Sequence, residues 1–163
     1  MKIYGLKPND VVNYRLPSLF IGMGTCNWKC CVEAGLDESV CQNSELAKSP
    51  RYEISPEELC NIYNMSKIDE AIVVGGLEPL DDIDGLLELI KAFDERCTGD
   101  IIVYTGYTED EKQDIIVNKV LPLIKHNHLI VKFGRFIPGQ EKHFDAILGV
   151  DLASDNQYGK LYL

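Results

Sequence analysis

Short apolar runs alternate along the chain with longer stretches of helical periodicity. SLFIGMG, residues 18–24, is a continuous apolar run ending in glycines, the pattern of a buried strand opening into a loop. EAIVVG at 70–75, DIIVY at 100–104 and HLIVKF at 128–133 read as three further buried strands. Between the first two lies a strong helix start, Ser55-Pro56-Glu57-Glu58. Ser55 suits the N-cap, Pro56 the first helical position, and Glu58 the return partner of a capping box. That helix is expected to run to about Ser66, with Leu59, Ile62 and Tyr63 on one face. Residues 82–95 repeat apolar side chains at Ile83, Leu86, Leu87, Leu89, Ile90 and Phe93, which predicts an amphipathic helix. Another helix is expected from about Thr108 to Lys125, and the tail GKLYL suggests one last strand. Strands alternating with helices predict repeated βα units around a parallel sheet, an α/β fold.

This order places the loops. In parallel α/β sheets the ligand site lies at the carboxyl ends of the strands. A cysteine-bearing loop follows the first apolar strand, and Gly75-Gly76-Leu77-Glu78-Pro79 follows the second. Tyr104-Thr105-Gly106-Tyr107 follows the third, and Lys132-Phe133-Gly134-Arg135-Phe136 the fourth. All four are expected to open on one face, so a composite site follows from the pattern alone.

Composition narrows the function classes. A chain of 163 residues that is 45% hydrophobic and 26% charged suits one domain with a real core. No apolar run reaches the roughly 20 residues needed to span a bilayer. The opening MKIYGLKPND lacks the apolar core of a signal peptide, so a cytoplasmic protein without a membrane partner is expected. A formal net charge of −10 argues against a nucleic-acid partner, because phosphate contacts need a basic surface. It suits work on a small ligand or docking on a protein.

The loop GMGTCNWKCCVEAGLDESVCQN holds Cys26, Cys30, Cys31 and Cys41, four of the chain's six cysteines. Disulfides, zinc, an iron–sulfur cluster and no ligand at all are the readings to weigh. A reducing compartment disfavours stable disulfides. Zinc sites usually offer pairs of CxxC, absent here, although His126 and His128 are available to complete a set. Cubane clusters take thiolates from loops of variable spacing. Three thiolates leave one iron open to a ligand from outside the protein. Adjacent side chains do not converge easily on two irons of one small cube, so one of Cys30 and Cys31 is expected to be a bystander, with Cys31 preferred. Cys60 and Cys97 read as small core residues. Trp28 reads as a packing lid, and Asp81-Asp82 as the negative charge of a helix start. Lys132 and Arg135 are left between solvated side chains and ligand or partner contacts.

Six segments together resemble the radical S-adenosylmethionine (SAM) superfamily, and within it the small activating proteins of anaerobic ribonucleoside-triphosphate reductases. LFIGMGTCNWKC is similar to the family's first strand and the first two cysteines of its CxxxCxxC motif. CQNSELA at 41–47 resembles the residues that begin with the third cysteine. VVGGLEPLDD resembles the Gly-Gly-Glu-Pro segment that binds SAM, and IIVYTGYTEDE the family's strand and TGY turn. VKFGRFIPG and SDNQYGKLYL resemble its DGxF and terminal Ser-x-Asn-Gln stretches. Two departures stand out: Cys41 comes eight residues late, as if residues 31–38 were inserted, and Leu77 is added after the glycine pair.

The resemblance implies a single radical SAM domain over 1–163, with its cluster loop at about 25–50 and a partial TIM-like barrel of parallel βα units. It implies a [4Fe–4S] cluster held by Cys26, Cys30 and Cys41. It implies SAM bound by Gly75, Gly76, Leu77, Glu78 and Pro79, with Thr105, Tyr107 and Asn156 contributing. The implied reaction is reductive cleavage of SAM to a 5′-deoxyadenosyl radical, which takes hydrogen from a glycine of a partner glycyl radical enzyme. Reduced flavodoxin or ferredoxin is the implied electron donor. The alternatives are radical SAM chemistry on a small molecule or peptide, and a non-enzymatic electron carrier or zinc-stabilised interaction module.

Overall fold

The computed structural model describes residues 1–163. Nine strands are formed: β1 (Lys2–Asp10), β2 (Ser18–Met23), β3 (Tyr52–Glu53), β4 (Ala71–Gly76), β5 (Asp100–Tyr104), β6 (Leu129–Phe133), β7 (His143–Asp145), β8 (Val150–Leu152) and β9 (Tyr158–Tyr162). Four α-helices accompany them: α1 (Lys29–Glu33), α2 (Pro56–Met65), α3 (Ile83–Arg96) and α4 (Glu109–Ile115). No helix is long and apolar enough to cross a membrane.

Seven strands make one sheet in the order β3-β1-β2-β4-β5-β6-β9. Its centre, β2-β4-β5-β6, is parallel throughout. These four strands lie in chain order, so every right-handed crossover falls on the same face of the sheet. Accordingly α2, α3 and the α4 run all pack into one apolar cluster, with Leu59, Leu86, Ile90, Phe93 and Ile116 against Ile72, Val74, Ile101 and Val131. The other face carries Val73, Ile102 and Ile130 and is covered by Tyr14, Leu148 and Leu152. Burial on both faces is why these strands read as continuous apolar runs rather than alternating ones.

The sheet is open at both edges, β3 and β9, and no barrel is seen. β9 pairs antiparallel with β6 where another βα unit would extend a barrel, and β1 pairs antiparallel with β2 on the opposite side. The residues 2–10 strand carries little strand signal. Gly5 and Pro8 interrupt it, and its register shifts between Lys7 and Asp10, with Asn9 at φ 57°. Tyr4 of this strand lays its ring across two neighbours. A Cβ on Gly22 would lie 2.8 Å from Tyr4 Cε1, and one on Gly76 would meet the same ring.

The helix starts follow the sequence chemistry. Ser55 and Glu58 form the reciprocal capping box, Ser55 Oγ accepting from Glu58 N at 3.2 Å and Glu58 Oε2 from Ser55 N at 2.9 Å. Thr108 and Glu111 repeat the device at α4. The α-helix expected to reach Lys125 gives way to a π turn at Ile116–Val120 and a 3-10 turn at Leu121–Leu123. Pro122 has no N–H to donate to an α ladder, so the winding changes ahead of it.

Asp94 near the end of α3 anchors the turn into β6. Its carboxylate accepts from the backbone N–H of Lys125 at 2.9 Å, and of His126 and Asn127 at 3.1 Å, and from the Asn127 amide. Burial opposes the charge, but these donors outweigh it and hold the carboxyl below its ordinary 3.8. The unfolded chain therefore binds that proton more readily, and the stabilisation present above pH 3.8 is lost as pH falls through the folded value. Asp94→Asn, which turns an amide donor toward these donors, is expected to cost about 2 kcal/mol in urea unfolding with an unchanged slope. It is also expected to remove this part of the acid sensitivity.

Candidate functional site

The four carboxyl-end loops line one cavity of about 300 Å³. Cys26, Cys30 and Cys41 reach it from the loop after β2, and Gly76, Leu77 and Glu78 from the end of β4. Tyr104, Thr105 and Gly106 come from β5, and Lys132, Gly134, Arg135 and Phe136 from β6. Val12, Asn13, Asp151 and Leu152, from segments covering the second face of the sheet, complete the wall.

All six cysteines are free thiols. Cys26, Cys30 and Cys41 are half-buried at the cavity, whereas Cys31 is buried at 6% exposure and does not line it. Two cavity sulfurs already accept backbone hydrogen bonds, Cys26 Sγ from Trp28 N at 3.3 Å and Cys41 Sγ from Asn43 N at 3.4 Å. Such N–H donors stabilise a thiolate ligand and tune a cluster's potential. Burial pushes the Cys26 thiol up to about 12 and raises that of Cys30, so both stay protonated until a metal takes the proton's place. No three His, Cys, Asp or Glu side chains close on a single metal ion. A cubane spreads its thiolates over separate irons, and a wider set of three suits it. His126 and His128 follow the α4 run, at the amino end of β6, and His128 instead faces Asp100 at 3.2 Å. That is the opposite end of the parallel strands from the cysteines.

Glu78 is the buried carboxylate of the site, 7% exposed. Its Oε1 accepts from Thr105 Oγ1 at 2.7 Å and Leu80 N at 3.1 Å, and its Oε2 from Gly106 N at 2.8 Å. Burial outweighs these donors and pushes its pKa up to about 7. A carboxylate offers about four acceptor sites, so one remains open on Oε2. A Cβ on Gly106 would lie 3.6 Å from both this oxygen and Cys30 Sγ, which puts carboxylate and thiol on the same side of the turn. Lys132, also 7% exposed, donates from Nζ to the Gly134 carbonyl at 2.7 Å, and burial lowers its pKa to about 8.

Other residues marked by the sequence occupy different positions. Thr105 Oγ1 is committed to Glu78 and accepts from Tyr107 N at 3.1 Å. Tyr107 points to Asp81, donating at 2.7 Å, and not into the main cavity. Asp81 in turn accepts from Asn27 N at 2.8 Å, so it ties the cysteine loop down and is more than a helix-start charge. Gly75 and Pro79 are not on the cavity wall. The N–H groups of Leu77 and Glu78 are spent on Met23 and Thr25 carbonyls, at 3.4 and 2.8 Å. Gly76 does line the cavity, but its φ of 85° and the Tyr4 ring are what require glycine there. Asn156 lies behind the wall, bonded to Arg135 and Ser154. Arg51 carried no motif signal. Its guanidinium gathers the carbonyls of Gly24, Leu46, Ala47 and Ser49, closing the far side of the cysteine loop.

The family described as a 4Fe-4S single cluster domain matches residues 18–152. No curated protein and no solved structure matches the chain.

The two buried charges give the metal-free protein a defined pH response. Glu78 binds its proton more tightly folded than unfolded, so its stabilisation is complete below 4.5 and is lost as pH rises through about 7. Lys132 binds its proton less tightly folded, so its contribution is present above 10.5 and is lost as pH falls through about 8. Urea unfolding from pH 4.5 to 10.5 is expected to show stability falling and then rising. Glu78→Gln flattens the first limb and Lys132→Met the second.

Proposed function

The chain belongs to the 4Fe-4S single cluster domain family, and from that premise we propose that Cys26, Cys30 and Cys41 hold the cluster of a radical SAM enzyme. The observation that carries the reading is the convergence of these thiols on one cavity with Glu78 and Lys132. It is supported by the two backbone N–H groups already directed at Cys26 and Cys41. Both amino-acid ends of SAM have a suitable counterpart. Glu78 keeps an open acceptor for an ammonium, and Lys132 offers a counter-charge for a carboxylate.

When bound, the cluster supplies the single electron that cleaves the sulfonium of SAM. The protein's share is to bind, orient and exclude water. Phe20, Leu77, Phe136 and Leu152 give the cavity its apolar wall. Thr105 and Gly106 keep Glu78 from turning away. Asn27, Asp81 and Tyr107 fix the start of the cysteine loop.

The substrate we propose is the radical-site glycine of a partner glycyl radical enzyme, an anaerobic ribonucleoside-triphosphate reductase, with reduced flavodoxin or ferredoxin as electron donor in the cytoplasm. The inserted residues 31–38 favour a second reading, radical SAM chemistry on a small molecule or peptide, because they alter the segment between two of the cysteines.

Anaerobic reconstitution is expected to load four irons and four sulfides per chain. Cys26→Ala, Cys30→Ala and Cys41→Ala lose the cluster, and Cys31→Ala keeps it. With dithionite the loaded protein is expected to convert SAM to 5′-deoxyadenosine and methionine. A fully loaded protein that leaves SAM intact would refute the enzyme reading. A glycyl radical signal in electron paramagnetic resonance, on mixing with the reductase, separates the two substrate readings.

A further inference from the structure

The cysteine loop is held on its outer side by charge. α1 starts one residue before Cys30 and runs into the inserted residues. Four charged side chains meet around it. Arg135 Nη2 lies 3.5 Å from Glu33 and 3.7 Å from Glu111. Lys29 Nζ lies 3.4 Å from Glu33 and 3.5 Å from Glu111. Glu111 is itself fixed, since its carboxylate caps Thr108 N at 2.8 Å.

Arg135 is the member of this group that turns inward. Its side chain is 19% exposed and lines the cavity, and its Nη1 donates to the Cys30 carbonyl at 3.3 Å. Its backbone is gripped from behind. Asn156 Nδ2 donates to the Arg135 carbonyl at 2.9 Å, Ser154 Oγ braces that amide by donating to Asn156 Oδ1 at 2.7 Å, and Gln157 Nε2 donates to the Gly134 carbonyl at 3.2 Å. Gly134 permits this approach, because at its φ of 98° a Cβ would lie 2.9 Å from the Asn156 carbonyl oxygen. Exposed ion pairs contribute little on their own. A mostly buried guanidinium that reaches two carboxylates and a carbonyl at once is different: Lys29 also spans the two carboxylates, but only the planar fork of Arg135 adds the Cys30 carbonyl from the cavity side.

Building on the iron–sulfur reading, we propose that Arg135 is the positioning residue for Cys30. It holds the Cys30 carbonyl directly and the inserted helix through Glu33, while Asn156, braced by Ser154, holds Arg135. The insertion is thereby latched to the end of β6 and keeps Cys30 directed at the cavity. The guanidinium is not a ligand, but a positive charge beside a ligating cysteine raises the reduction potential of the cluster.

The test compares wild type, Arg135→Gln, Arg135→Lys and Glu33→Gln. In the metal-free protein, amide hydrogen exchange over residues 29–34 is expected to be about tenfold faster in Arg135→Gln, with the sheet amides unchanged. Glu33 sits on the exposed helix and its loss does not threaten the fold. Glu33→Gln is expected to speed the same amides roughly threefold. In the loaded protein, Arg135→Gln is expected to release iron to a ferrous chelator several-fold faster, and to show a lower midpoint potential. Arg135→Lys restores the potential but not the slow exchange. Unchanged exchange over 29–34 in both Arg135→Gln and Glu33→Gln would overturn the latch. An unchanged potential in Arg135→Gln would overturn its electrostatic part. Failure of the wild type to load a cluster overturns the iron–sulfur reading instead, and the exchange data then decide the latch on their own.

Discussion

A carboxylate buried at the end of a sheet has to be hydrogen-bonded or neutralised, and Glu78 recruits its donors from two loops at once. Leu80 N comes from its own loop, and Thr105 Oγ1 and Gly106 N come from the next. Satisfying one side chain therefore fixes the spacing between the loops after β4 and β5. Lys132, the other buried charge of the site, donates its ammonium to the Gly134 carbonyl, and the Glu78 charge favours its protonated form. Because the four central strands are parallel and in chain order, these loops share one end of the sheet with the cysteines. The hydrogen bonding of this carboxylate works with Thr105 N on the Lys132 carbonyl and Gly134 N on the Tyr107 carbonyl to set the shape of this wall.

The cysteine loop is the less regular half of the site and is held by many polar contacts instead of a packed core. Asp81 and Tyr107 secure its start at Asn27, Arg135 secures Cys30, and Arg51 secures the carbonyls beyond Cys41. The first two anchors sit beside Cys26 and Cys30, and the third closes the segment that follows Cys41. Such an arrangement places sulfur atoms without burying the apolar surface that short turns lack.

The apolar runs at 18–24, 70–75, 100–104 and 128–133 were legible because burial on both faces confines polar residues to their ends, Lys132 beside the cavity included. The α2 start was legible because a capping box is local chemistry. β1 was not, since its strand character comes from pairing with β2 and β3 and not from its own Gly- and Pro-bearing sequence. At the site, the spacing of the loops announced one composite cavity, but not which side chains spend their hydrogen bonds within the protein. Thr105, Tyr107 and Asn156 each carry groups suited to a ligand and use them on Glu78, Asp81 and Arg135. Arg51 and Asp81 act on partners 27 and 54 residues away, separations that no local pattern reveals.

The Tyr4 ring spanning Gly22 and Gly76 has an evolutionary consequence. The three positions behave as one unit of volume shared by three strands. In related chains that keep this stacking, a side chain at position 22 calls for a smaller residue at position 4. Position 76 favours glycine either way, because its φ of 85° disfavours a Cβ independently of the ring. Such a pattern of linked and unlinked change, read across homologues, would identify this sheet edge without reference to a single cysteine.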